Sequence, residues 1–138
     1  MKTVIITLLI AINFSCSKDD DNQTNVTYNV PGLYMGTYTV DQVPAQGSLA
    51  YSFVIQPDAT MITEGKAGNG ATYYSAGTWT LSQDTLRCTY STINFPSVTV
   101  TQSAKFYFNK NDGSLTSGTW KDVTNGTNSG TYTMSRVQ

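Results

Sequence analysis

Residues 32–138 are predicted to form an all-β domain, a single antiparallel up-and-down β-barrel of about eight strands. Three observations carry this expectation. Apolar and polar residues alternate with period two through most of the range, which turns one face of each strand to a core and the other to water. No segment of helical length shows an apolar period of 3.6 residues. Turn-forming residues interrupt the alternation at short intervals, and short links favour a meander over a Greek key, which needs a long return connection.

The elements follow in order. Pro31-Gly32 stops the preceding segment, and Tyr34, Gly36, Tyr38 and Val40 alternate through a strand at 33–40. Leu49, Tyr51, Phe53 and Ile55 do so at 48–56, and Gln56-Pro57-Asp58-Ala59 turns the chain into a strand at 59–66. After Gly68-Asn69-Gly70 comes 71–82, with Tyr73, Ser75, Gly77, Trp79 and Leu81 in phase. Ser82-Gln83-Asp84 leads to 84–91, where Leu86, Cys88 and Tyr90 alternate. Val98, Val100, Ala104, Phe106 and Phe108 mark 97–109, Asn111-Asp112-Gly113 turns to 114–121, and the loop at 124–128 leads to 129–137. Only the connections at 41–47 and 91–97 are longer. An even strand number lets the last strand pair antiparallel with the first, abolishing both sheet edges.

A Gly-Thr-aromatic triplet recurs at Gly36-Thr37-Tyr38, Gly77-Thr78-Trp79, Gly118-Thr119-Trp120 and Gly130-Thr131-Tyr132. Glycine inside a strand costs stability, so its repetition asks for a reason. Sharp coiling of a small barrel supplies one, because a residue without Cβ lets the strand bend and a neighbouring ring lie over the backbone.

Composition narrows the function. Charged residues make up 12% of the chain and the formal net charge is −1, with no stripe of Lys or Arg to neutralise phosphates, so nucleic acid is not an expected partner. Aromatic residues also reach 12%, which separates the chain from a disordered acidic tail. There is no histidine, and the aspartates Asp41, Asp58, Asp84, Asp112 and Asp122 fall in turns or at strand ends. No paired carboxylates, His/Cys metal set or nucleophile elbow appear, so neither an enzyme nor a metal or other cofactor is expected. Cys88, in phase with Leu86 and Tyr90, reads as a small core residue.

The N-terminus supplies an address. Met1-Lys2 precedes the apolar run Val4–Ile12, which is too short to span a bilayer but suits the core of a secretory signal peptide. Ser15 then precedes Cys16, and Lys18-Asp19-Asp20 follows it. This junction resembles that of bacterial lipoproteins, with Asn13 where the usual pattern has Leu or a similar aliphatic, a looser form similar to Bacteroidetes-type lipoproteins. The resemblance implies a signal peptide at 1–15, lipid on Cys16, and a surface-export signal at Lys18, Asp19 and Asp20. Residues 16–31 would be a tether, and the protein would be anchored in the outer membrane and exposed at the cell surface. Several acyl chains on one cysteine suffice for stable anchoring, at about 0.8 kcal/mol per buried methylene.

In pattern, residues 32–138 resemble the calycins, the lipocalins and avidins. Lipocalins place Gly-x-Trp at the start of the first strand and cover the Trp ring with an Arg near the barrel end. Gly32-Leu33-Tyr34 resembles a Tyr version of that motif, with Arg136 as the covering cation. The Gly-Thr-Trp and Gly-Thr-Tyr strands are similar to those of avidins, which also lack the lipocalin C-terminal helix; no biotin-contacting set can be placed here. The inward set Tyr38, Tyr51, Phe53, Ile55, Trp79, Leu81, Phe106, Phe108, Tyr132 and Met134 is bulky enough to fill most of a small barrel, or to line a pocket. The expected function is therefore a non-enzymatic lipoprotein that binds a small apolar molecule or glycan at one barrel mouth. Tyr38, Tyr51, Trp79 and Tyr132 would line the site, and Arg87 or Arg136 would pair with a ligand carboxylate. The alternative is an interaction or structural subunit of an outer-membrane assembly with a filled core.

Overall fold

A computed structural model describes residues 28–95 and 99–137. Its eight strands are β1 (Gly32–Tyr38), β2 (Leu49–Ile55), β3 (Thr60–Lys66), β4 (Thr72–Ser82), β5 (Thr85–Thr92), β6 (Thr101–Asn109), β7 (Ser114–Asp122) and β8 (Ser129–Arg136). Each pairs antiparallel with the next, and β8 pairs with β1, closing an up-and-down barrel. Every strand read from the alternation is present. The largest shift in a boundary is at β6: Val100 lies just before the strand, and Val98 lies outside the described residues. The signal peptide, Cys16 and Lys18-Asp19-Asp20 also lie outside them.

The inward faces meet in an aromatic core. Phe53 is 0% exposed, with its ring centroid 5.2 Å from Tyr51, 5.3 Å from Tyr132, 5.5 Å from Phe106 and 6.0 Å from Tyr90. Tilted and edge-on geometries of this kind add about 0.5–1.5 kcal/mol per pair beyond the area buried. Met61, Leu86, Cys88, Phe108, Leu115 and Met134 are buried around it. Leu81 departs from its expected place: it is 41% exposed, because the long β4 runs on past the packed end of the barrel.

The recurring glycines are points of close approach. A Cβ on Gly77 would run into the Thr89 carbonyl and the Tyr90 backbone, and one on Gly130 would meet the Thr39 carbonyl and the Trp120 indole nitrogen. Gly36 lies against the Thr133 carbonyl, and Gly118 lies beneath the Phe106 ring and beside the Tyr132 Cβ. Register shifts between Lys105 and Tyr107 and between Leu115 and Gly118 add to the coiling that closes so small a barrel.

The two ends differ. The short turns after β2, β4 and β6 gather at one end, and the segment Tyr28–Pro31 closes it. Val30 is 3% exposed, and its carbonyl accepts the Tyr34 hydroxyl at 2.8 Å. Arg136 donates to the carbonyls of Asn29 (2.6 Å) and Pro31 (2.7 Å) and to the Tyr34 hydroxyl (3.0 Å). Its guanidinium stands 5.4 Å from the Tyr28 ring centroid and 5.6 Å from that of Tyr34. The covering contact anticipated for Gly32-Leu33-Tyr34 and Arg136 is therefore present. Residues 28–31 are not free tether, however; they are packed against the barrel because Val30 and Tyr28 have apolar surface to bury there. The longer connections at 39–48, 67–71 and 123–128, with residues 93–95 and 99–100, surround the opposite end, which the described residues leave open.

Candidate functional site: the open barrel mouth

At that open end the lumen holds a cavity of about 260 Å³. Tyr51 and Tyr132 form its floor, ring centroids 5.0 Å apart, and the Phe53 cluster fills the barrel beneath them. The interior is thus solid below and open above.

The wall has two sides. Trp120 from β7, Tyr132 from β8, Tyr38 from β1 and Tyr51 from β2 form a continuous aromatic arc. Tyr38 organises it, at 5.3 Å from Tyr51, 6.0 Å from Trp120 and 6.2 Å from Tyr132. Across the lumen, Ser75 from β4, Thr92 from β5 and Gln102 from β6 form a polar arc, with Asn128 just before β8 and Tyr73 and Val100 at the rim. Ser75 and Thr92 are register partners, which sets their side chains side by side. Between the arcs lies Gly65, beneath the Tyr51 ring.

The polar tips of the aromatic arc are already engaged. The Tyr38 hydroxyl donates to the Lys66 carbonyl (2.7 Å) and the Trp120 indole N–H to the Thr39 carbonyl (3.0 Å). The Tyr51 hydroxyl pairs with that of Thr63 (3.0 Å), and the Tyr132 hydroxyl with that of Tyr90 (2.7 Å). This arc therefore offers the cavity ring surface rather than hydrogen bonds. Ser75, Gln102 and Asn128 make no side-chain hydrogen bond to another described residue, so their capacity faces the cavity. Among the described residues bordering the cavity there is no Asp, Glu, Lys or Arg. Burial pushes the Tyr38 phenol up to about 12 and raises those of Tyr51, Tyr90 and Tyr132 as well, so the lumen stays neutral at physiological pH.

Of the residues expected to line a site, Tyr38, Tyr51 and Tyr132 meet here. Trp79 does not: its indole N–H donates to the Gln56 carbonyl (2.9 Å), which fixes it at the closed end. Arg87 stands on the outer wall, opposite Lys105, because it is out of phase with the inward Leu86 and Cys88. Arg136 is committed to the closed end. Neither arginine reaches a ligand in the mouth. Trp120, Ser75, Thr92, Gln102 and Asn128 were not anticipated. The Gly118-Thr119-Trp120 triplet was the available signal for Trp120, but alternation gives a side chain's face and not its height in the barrel.

Asp58 accepts the Thr60 N–H (3.0 Å), Asp112 that of Ser114 (2.8 Å) and Asp122 that of Thr124 (2.8 Å), each shaping a turn. Hydrogen bonds from the Thr60 hydroxyl and N–H lower the Asp58 pKa. Cys88 is buried in the core, which pushes its thiol up to about 12. Compared with family models, with curated proteins and with solved structures, the chain finds no match.

Proposed function

We propose that the protein is a non-enzymatic, lipid-anchored lipoprotein of the cell surface, of the Bacteroidetes kind, that binds a small uncharged molecule at its barrel mouth. The observation that carries this reading is the neutral, aromatic-lined cavity at the end opposite Tyr28. A chain anchored at Cys16 reaches Tyr28 across at most about 40 Å. The tether then joins the barrel at its closed end, on the side away from the mouth. At about 260 Å³ the cavity is slightly smaller than the roughly 300–1,000 Å³ of drug-sized sites, and its floor leaves no channel for a long acyl chain.

Two outcomes test the reading. Cys16→Ala is expected to leave the protein unprocessed or release it from membranes, and Ala at Lys18, Asp19 and Asp20 to retain lipid but lose protease accessibility on whole cells. A mature-length Cys16→Ala protein in the membrane fraction would overturn the anchor. For binding, a thermal-shift panel of small glycosides and compact apolar compounds is expected to yield a hit stabilising the fold by about 2.7 kcal/mol at a hundred times its dissociation constant. Fatty acids and haem are expected to give no shift.

A second reading, a subunit of an outer-membrane assembly, is favoured by one feature of the outer wall. Leu33, Val54 and Ile62 are exposed register neighbours across β1, β2 and β3, and the Val137 N–H bonds the Leu33 carbonyl beside them. That row would be buried against an apolar face of another subunit. A flat response across the thermal-shift panel would favour it.

A further inference from the structure

Resting on the reading of the mouth as a binding site, we infer that its ligand is a single neutral pyranose unit, the terminal sugar of a glycan. Its C–H face lies on one ring of the aromatic arc, Trp120 or the edge-on Tyr38, and its hydroxyl edge points to Ser75, Thr92 and Gln102.

The segregation of the wall carries this. A uniformly apolar ligand would leave the Ser75 hydroxyl and the Gln102 amide unpaired once water is expelled, and each such group costs free energy when buried without a partner. A uniformly polar ligand would waste the ring surfaces, whose own donors are already spent on the Lys66 and Thr39 carbonyls. A pyranose answers both sides at once, since one face of the ring is C–H and its edge carries hydroxyls. Each hydroxyl donates and accepts, matching a Ser or Thr hydroxyl and both ends of the Gln102 amide. The cavity borders no charged side chain that would repay desolvation of a carboxylate, which argues against an acidic sugar. Its size suits one ring, and the open rim lets the rest of a glycan extend into solvent. The 39–48 and 123–128 connections flank that exit, tied together where the Ser129 hydroxyl donates to Asp41 (2.8 Å) and the Ser129 N–H to the Gln42 side-chain oxygen (3.1 Å).

The test is an NMR titration of the full chain with the methyl glycosides of glucose, mannose and galactose and with N-acetylglucosamine. Glucuronate and indole serve as contrasts. At least one neutral pyranoside is expected to bind and to move the indole N–H resonance of Trp120 but not that of Trp79. Gln102→Leu is expected to weaken it about tenfold while indole binding and the melting temperature hold, with Ser75→Ala as the second variant. Indole binding without any pyranoside would overturn this inference and leave the broader binding reading standing. Glucuronate binding more tightly than the neutral sugars would overturn the neutrality, and a pyranoside indifferent to both variants would overturn the role of the polar arc. Failure of sugars and indole alike would bring down both readings.

Discussion

Replacing Gly77 by Val is expected to destabilise the barrel by about 3 kcal/mol, the upper end of the usual cost of overpacking. The obstruction is backbone. The new Cβ would meet the Thr89 carbonyl and the Tyr90 Cα, so no rotamer change relieves it and the β4–β5 ladder itself must open. Gly77 lies opposite Tyr90 on one side and Met61 on the other, so a shift there disturbs two buried core residues. The neighbouring Thr78→Val makes the control: Thr78 is exposed on the outer face, and its replacement is expected to change stability by less than about 0.5 kcal/mol. Urea denaturation of the two variants checks this. A Gly77→Val midpoint close to that of Thr78→Val would refute the close-approach account of the repeated glycines.

Phe53→Ala carries the other large effect, an expected loss of about 3–5 kcal/mol. Phe53 is fully buried and touches four aromatic rings from four other positions in the barrel, so its removal leaves a void that rigid neighbours cannot collapse into. Against a typical domain stability of about 5–15 kcal/mol this is a large fraction. It also removes the support beneath the mouth, because Tyr51 and Tyr132 rest on it. A shifted urea midpoint with an unchanged slope is the expected signature. A loss below about 1 kcal/mol would show that the lower barrel is loosely filled and the cavity floor soft.

Period-two alternation determined that this chain is built of half-buried β-strands, because half-burial of a strand admits no other spacing of apolar residues, and the short links between an even number of them pointed to a closed meander. The turn residues at Gln56–Ala59, Ser82–Asp84 and Asn111–Gly113 marked where strands end, and in the first and last of these an Asp carboxylate satisfies the backbone locally. The resemblance of Gly32-Leu33-Tyr34 and Arg136 to the lipocalin pair also marked Arg136 as the cation that covers a ring. The makeup of the mouth was decided elsewhere. Trp79 and Trp120 follow the same Gly-Thr pair and both turn inward, yet one seals the closed end and the other lines the open one. Which end a side chain occupies depends on strand direction and on the stagger of eight paired strands, and stagger is a property of closure. The same holds for the polar arc: Ser75, Thr92 and Gln102 are unremarkable in sequence and far apart in it, and only the pairing of β4, β5 and β6 gathers them opposite four aromatic rings. Periodicity is a local property that any one strand displays, whereas a binding surface assembled across eight strands exists only once long-range hydrogen bonding has set their register.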